Sequence, residues 1–140
     1  MRLRTQRKTH APTSWLRSRG GCAASTVDFA LTDPADDQAV LGGLSLYDIH
    51  DGRGAVGYWR AAHARGRGVA TGAVRLAAAH AFDQLGLARL ELTCGPDNHA
   101  SQWLAERCSF TEEGVLRSHI SFKEGRRDTV MFSLLPDEAR

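Results

Sequence analysis

Residues 63–78 read His-Ala-Arg-Gly-Arg-Gly-Val-Ala-Thr-Gly-Ala-Val-Arg-Leu-Ala-Ala, a basic glycine-rich turn that runs straight into an alanine-rich helix. Gly66, Gly68 and Ala70 put small residues where backbone N–H groups come close to a ligand, and the first helical turn leaves its N–H groups without intrahelical partners. A helix start also carries roughly half a unit of positive charge. Arg65 and Arg67 add two cations beside it. The stretch therefore predicts an anion site that suits a diphosphate. No Gly-Lys-Ser/Thr follows the glycines, which argues against a nucleoside-triphosphate loop.

Working outward from this turn, short apolar runs at residues 27–31 and 40–47 flank Asp33-Pro34-Ala35-Asp36-Asp37 and predict a hairpin. A third strand is expected over residues 55–59, with a bulge at its internal Gly57. Downstream, apolar residues at three- and four-residue spacing predict a helix over residues 69–85, stopped by Gly86. Arg89-Leu90-Glu91-Leu92-Thr93-Cys94 alternates strictly, as a strand with two different faces does, and Gly95-Pro96-Asp97-Asn98 turns the chain. A short helix over residues 100–108 and two strands, 115–122 and 129–135, complete the order. The predicted fold class is α/β, a mixed and mostly antiparallel central sheet flanked by helices.

At 140 residues and 42% hydrophobic content, the chain suits one core. No apolar run approaches the roughly 18 residues that span a bilayer, so no membrane role is expected. Cys22, Cys94 and Cys108 are odd in number and widely spaced, which predicts neither a disulfide framework nor a zinc site, and the reading is a cytoplasmic protein with reduced thiols. The net charge of +2 conceals an asymmetry. Residues 1–26 hold six basic residues and no acid, leaving 12 basic against 16 acidic residues in the remainder. The division expected is a basic, poorly ordered arm or helix remnant over 1–26 and one domain over 27–140. The arm's cations have no interleaved aromatic beyond Trp15, so a nucleic-acid partner is not expected.

Six words in order carry a resemblance: Gly57-Tyr58-Trp59, Arg65-Gly66-Arg67-Gly68-Val69-Ala70-Thr71, Ala81-Phe82-Asp83, Arg89-Leu90-Glu91-Leu92, Pro96-Asp97-Asn98-His99-Ala100-Ser101 and Glu113-Gly114-Val115-Leu116-Arg117. In these the chain resembles the GCN5-related N-acetyltransferases (GNAT), and within them the Rim-type ribosomal-protein N-terminal acetyltransferases. The resemblance implies the acyl-CoA N-acyltransferase fold and acetyl-CoA as co-substrate. It places the pyrophosphate on Arg65, Gly66, Arg67, Gly68, Val69, Ala70 and Thr71. Tyr58 and Trp59 would line the strand that splays from its neighbour and offers a backbone N–H to the thioester carbonyl, and Asn98 would bind the pantetheine chain. Ser101 resembles the serine that stands near the sulfur in the Rim-type group; helix capping is its other reading.

Acyl transfer to an amine needs a neutral nucleophile, a stabilised oxyanion and a proton for the leaving thiolate. An α-amino group, with a pKa of about 8, asks less of a general base than a lysine at about 10.4. Glu91 is the base chosen here, on the polar face of its strand, with Asp48 and His50 behind it. The tyrosine that many family members place in the helix after the Asn turn is missing, Ala105 standing there instead. Two further departures are Ser109 in place of the usual glycine before Phe110, and Ala55-Val56 where an acidic residue often stands. The start also looks short, with Ser14-Trp15-Leu16-Arg17 as the remnant of a second helix, so the acceptor wall is either lost or supplied by a partner subunit in a homodimer. No metal site is expected. The expected partner is an amine acceptor, a protein N-terminus or a small molecule; the alternative is a degenerate domain that holds acyl-CoA as a sensor or scaffold.

Overall fold

Apolar and polar residues alternate along most strand segments, and in the computed structural model that alternation sorts them onto the two faces of one sheet. The structure describes residues 2–6, 25–66 and 68–139. In chain order the elements are β1 (Arg2–Gln6), β2 (Ser25–Asp33), β3 (Asp36–His50), β4 (Arg53–Arg60), a 3-10 turn (Ala62–Ala64), α1 (Val69–Asp83), β5 (Arg89–Cys94), α2 (His99–Arg107), β6 (Thr111–Phe122) and β7 (Gly125–Leu134). Among the described residues these strands form a seven-stranded sheet in the order β1-β2-β3-β4-β5-β7-β6. Every neighbouring pair is antiparallel except β4 and β5.

Register settles which side chains share a face. Phe29 lies opposite Leu44 and Leu44 opposite Tyr58, while Leu90 lies opposite Leu134 and Leu92 opposite Phe132. Both helices cover this side. α1 buries Ala70, Ala73, Val74, Ala77, Ala78 and Ala81, and the short alanine side chains let its backbone lie close to the sheet. Phe29 meets the edge of His80 with ring centroids 5.2 Å apart. Leu31, Leu46, Leu90 and Phe132 are fully buried beneath them. On the other face stand Asp28, Gly43, Ser45, Ala55, Gly57, Glu91 and Thr93, and no helix among the described residues covers them.

The parallel pair forms the seam of the sheet. β4 and β5 pair through Arg53–Arg89, Gly54–Leu90 and Ala55–Glu91 and then part. Beyond that point β4 continues to Arg60 on β3, and β5 continues to Cys94 on β7. The closed end is pinned by the Gly52 carbonyl, which accepts from the Ala88 and Arg89 amides at 2.7 and 3.2 Å. A V-shaped opening between the two half-sheets is the result.

Three sequence expectations change, and a fourth falls outside the described residues. Residues 2–6, assigned to the basic arm, form a strand that pairs with β2 at the sheet edge, Leu3 opposite Leu31. Ser14-Trp15-Leu16-Arg17 lies outside the described residues. Gly57 is not a bulge, because the β3–β4 register is unbroken from Gly42–Arg60 to Tyr47–Ala55. The irregularity falls instead between Tyr47 and His50, where Asp48 adopts a φ of 50°. β6 also begins four residues earlier than expected, at Thr111, since pairing with β7 compensates for a polar start that propensity reads as loop.

Candidate active site

The chain leaves β4 at the open side of the V and enters the glycine turn. The Ala61 amide donates to the Leu41 carbonyl at 2.9 Å, which fixes where the turn starts. Gly66 and Gly68 both take left-handed conformations, at φ of 75° and 68°. A Cβ added at either would meet nothing within 4 Å, so backbone conformation demands glycine here and the surface above it is open. Gly68 is the N-cap of α1, and no side chain caps the helix. The first turn holds no acid, and the first bond of the helix runs from the Gly72 amide to the Gly68 carbonyl at 3.1 Å. Val69 and Ala70 are buried and anchor the turn, whereas Arg65 and Gly66 are exposed and Thr71 is half-buried. Arg67 lies outside the described residues. Uncapped N–H groups, two left-handed glycines and an open approach are together the chemistry of an anion cradle.

On the far wall of the V, α2 is positioned by the turn that precedes it. Arg127 pairs with Asp97 at 3.2 Å, and Gln102 Nε2 donates to the Pro96 carbonyl at 2.9 Å. Asn98 is the N-cap, its Oδ1 accepting the Ser101 amide at 3.2 Å. Because Asn98 does the capping, the Ser101 hydroxyl is released from that duty. It lies 3.0 Å from the Tyr58 hydroxyl across the opening. Burial raises the Tyr58 pKa, with the Ser101 bond and Arg60 pulling the other way, so the phenol is protonated at neutral pH. The buried thiols of Cys94 and Cys108 flank it, also raised by burial.

Tyr58 was expected only as a cofactor contact. Its alternation with Val56 puts it on the helix-bearing face, where it meets Ser101 from a residue 43 positions distant. The position where the resemblance implies a tyrosine holds the buried Ala105, and the phenol beside Ser101 comes from β4. Trp59 points to the opposite face, where its indole lies over Gly43: a Cβ there would sit 2.4 Å from Nε1. The sequence spacing placed Tyr58 and Trp59 together; the pleat divides them.

Glu91 stands on the helix-free face at the last rung of the β4–β5 pair. Its carboxylate accepts from Arg89 Nε at 2.8 Å and faces Arg53 Nη1 at 3.9 Å. Arg89 in turn forks onto Glu113. The two carboxylates push the guanidinium pKa upward, and Arg89 holds that of Glu113 below the usual carboxylate range. Glu91 is therefore a member of an ion-pair chain that closes the base of the V. Asp48 and His50 lie at the β3–β4 turn, at the end of β4 away from Tyr58, with His50 Nδ1 2.7 Å from the Asp48 carbonyl. Among the described residues no group of three or more His, Cys, Asp or Glu side chains is placed to hold a metal ion. No helix among them is long and apolar enough to cross a membrane.

Comparison with known proteins gives the family. The model of the acetyltransferase (GNAT) domain matches residues 1–111. YdaF of Bacillus subtilis (strain 168), provisionally named a ribosomal N-acetyltransferase, is 32% identical over 104 residues, covering 73% of this chain and 57% of its own. Among solved structures, Mycobacterium smegmatis RimJ in complex with CoA-disulfide superposes with a TM-score of 0.73 at 25% identity, over 81% of this chain and 54% of that one. The chain spans little more than half the length of the curated relatives it matches.

Proposed function

Because this chain belongs to the acetyltransferase (GNAT) family, we propose that it moves an acetyl group from acetyl-CoA to a primary amine by direct transfer. The observation that carries the reading is the hydroxyl pair Tyr58–Ser101 set across the V beside an uncapped helix start. Acetyl-CoA, as co-substrate, lays its pyrophosphate on the N–H groups of residues 65–71, with Asn98 beside the pantetheine chain, and its thioester enters the opening. Past Ala55, the β4 edge that faces β5 has no ladder partner, so within Gly57 to Trp59 the N–H directed away from β3 is available to the thioester oxygen. Attack by the amine nitrogen forms the C–N bond and puts negative charge on that oxygen. As the oxyanion collapses, the C–S bond breaks and the thiolate takes a proton from Ser101, which Tyr58 replenishes.

The acceptor class in this reading is an amine that is readily deprotonated, a protein N-terminus or a small molecule. An α-amino group with a pKa of about 8 is partly neutral at physiological pH without help. Free acetyl-CoA and reduced Cys94 and Cys108 suit a cytoplasmic setting. Incubating the protein with acetyl-CoA and a panel of peptides and polyamines is expected to release free thiol, and calorimetry to show cofactor binding. Neither turnover nor binding would end the proposal. A second reading, an acyl-CoA-holding scaffold, is favoured by one observation: only residues 7–24 connect β1 to β2, where the acceptor wall of the family is built. Tight cofactor binding with no acceptor consumed in the panel would select it.

A further inference from the structure

Opposite the hydroxyl pair, the helix-free face of the sheet holds a second polar unit that no sequence motif marks. Asp28 on β2, Ser45 on β3 and Gly57 on β4 occupy one row of the sheet, Asp28 in register with Ser45 and Ser45 in register with Gly57. The Ser45 hydroxyl donates a hydrogen bond to Asp28 Oδ1. Ser45 is buried and Asp28 half-buried, so the bond holds the hydroxyl in place while the carboxylate keeps an edge open to solvent. The row ends on the segment of β4 that lies past the last β4–β5 rung, where the V opens. Adjacent strands lie about 4.8 Å apart, so a nitrogen poised above Gly57 is one strand from Ser45 and two from Asp28.

The surroundings shape that row into a floor. On one side Gly43 carries the Trp59 indole as a wall. On the other, Ala55 leads to Glu91, whose oxygens are taken by Arg89 and Arg53. Charged and titratable residues on this face include Tyr47 on β3, Arg53 on β4, Arg89 and Glu91 on β5, and Glu113 and His119 on β6, while on β1 Gln6, Arg4 and Arg2 take the register positions opposite Asp28, Ala30 and Thr32. Asp28 engages a hydroxyl, a group that can pass a proton in either direction; Glu91 engages guanidinium groups, which cannot.

We infer that Ser45 and Asp28 form the proton-accepting relay for the incoming amine, so that proton removal takes place on the helix-free face and proton delivery to the thiolate on the other. This rests on the acetyltransferase reading. When the amine nitrogen bonds to the carbonyl carbon, one of its protons passes to Ser45 Oγ as the Ser45 hydroxyl proton moves to Asp28 Oδ1. The thiolate meanwhile gains a proton from Ser101 and Tyr58. Solvent then takes the proton from Asp28 and restores one to the hydroxyl pair, so that the net transfer is from amine to thiol.

The test uses acetyl-CoA and a short peptide with a free α-amine, and measures thiol release against pH together with acetyl-CoA affinity by calorimetry. Asp28→Asn is expected to lower kcat about 100-fold with cofactor affinity unchanged, and Ser45→Ala to do the same to a smaller degree. In both variants the kcat profile should follow the ionisation of the peptide amine alone, whereas Asp28→Glu recovers part of the rate and the wild-type profile. Wild-type turnover together with an Asp28→Asn rate within twofold of it and the same profile would overturn the relay and leave the acetyltransferase reading intact. Absence of acetyl-CoA binding and turnover in the wild type would overturn both.

Discussion

The two faces of this sheet are made from different alphabets. The helix-bearing face presents Phe29, Leu31, Leu44, Leu90, Leu92 and Phe132, all buried, with Tyr58 at the margin of the V. The helix-free face carries the buried polar side chains Thr32, Ser45, Thr129 and Ser133, together with small residues and the Arg89 ion pairs. One face is thus a core that carries the Tyr58 hydroxyl; the other is polar and, among the described residues, carries no helix. Because the strands alternate, a single register error would exchange the two alphabets, and stability and chemistry would fail together.

The comparison is broken most severely by emptying the apolar face. Phe132→Ala removes a fully buried ring on β7 and should cost about 3–5 kcal/mol in chemical denaturation, enough to threaten the fold. Thr93→Ala, on the polar face of the adjacent strand, should cost under about 1 kcal/mol by the same measurement. Equal losses at the two positions would mean that the faces are not distinct in the way described.

Next in size is the chemistry that the apolar face lends to the V. Tyr58→Phe keeps the ring and removes the hydroxyl 3.0 Å from Ser101. Under the proposed mechanism kcat should fall roughly 10- to 100-fold, with acetyl-CoA affinity unchanged in calorimetry. The pH dependence follows from the raised phenol pKa. Below the ordinary tyrosine value the hydroxyl is protonated in folded and unfolded chains alike, and its contribution is fully present. As the pH rises past about 10, the unfolded chain releases this proton before the folded one, so stability falls with rising pH. Alkaline denaturation of the wild type should therefore be steeper than that of Tyr58→Phe.

A smaller effect is expected at the anion cradle. Gly68→Ala places a Cβ on a residue at φ 68°, into open space, so the cost is conformational, about 1–2 kcal/mol in thermal or chemical unfolding. Distortion of the turn should also weaken acetyl-CoA binding several-fold, because the N–H groups of the first turn no longer converge. A variant with weakened stability and unaltered cofactor affinity would separate the turn from the pyrophosphate.

How much of this was legible beforehand differs between chain neighbours and sheet neighbours. The strand over Arg89–Cys94 and the short helix after the Asn98 turn were readable because alternation and turn chemistry are local signals. The anion turn was readable for the same reason, since left-handed conformations at 66 and 68 ask for glycine. The pairing of Tyr58 with Ser101 and of Asp28 with Ser45 was not, because each depends on register between segments 43 and 17 residues apart. Glu91 shows the complementary case. Its alternation predicted the correct face, but nothing in Arg89-Leu90-Glu91 announced that Arg53 would be brought alongside by the parallel pair. β1 escaped notice because five residues with four polar side chains carry almost no periodic signal and become a strand through pairing with β2.

The mildest test concerns the end of α2, where the core-bearing face receives Phe110. The Phe110 amide donates to the Ala105 carbonyl at 2.9 Å and the Ser109 amide to the Glu106 carbonyl at 3.0 Å, the two bonds of a Schellman motif. That motif puts the residue after the C-cap in the left-handed region, and Ser109 takes a φ of 68° to satisfy it. A serine does so against the clash of its Cβ, whereas glycine meets no such penalty. Ser109→Gly should therefore stabilise the protein by about 1 kcal/mol, raising the melting temperature by about 3 °C. Catalysis should be unaffected, because Ser109 lies at the opposite end of α2 from Ser101. If the variant were instead less stable, the extra freedom that glycine gives the unfolded chain would outweigh the strain relieved, and the conformation at Ser109 would carry little of it.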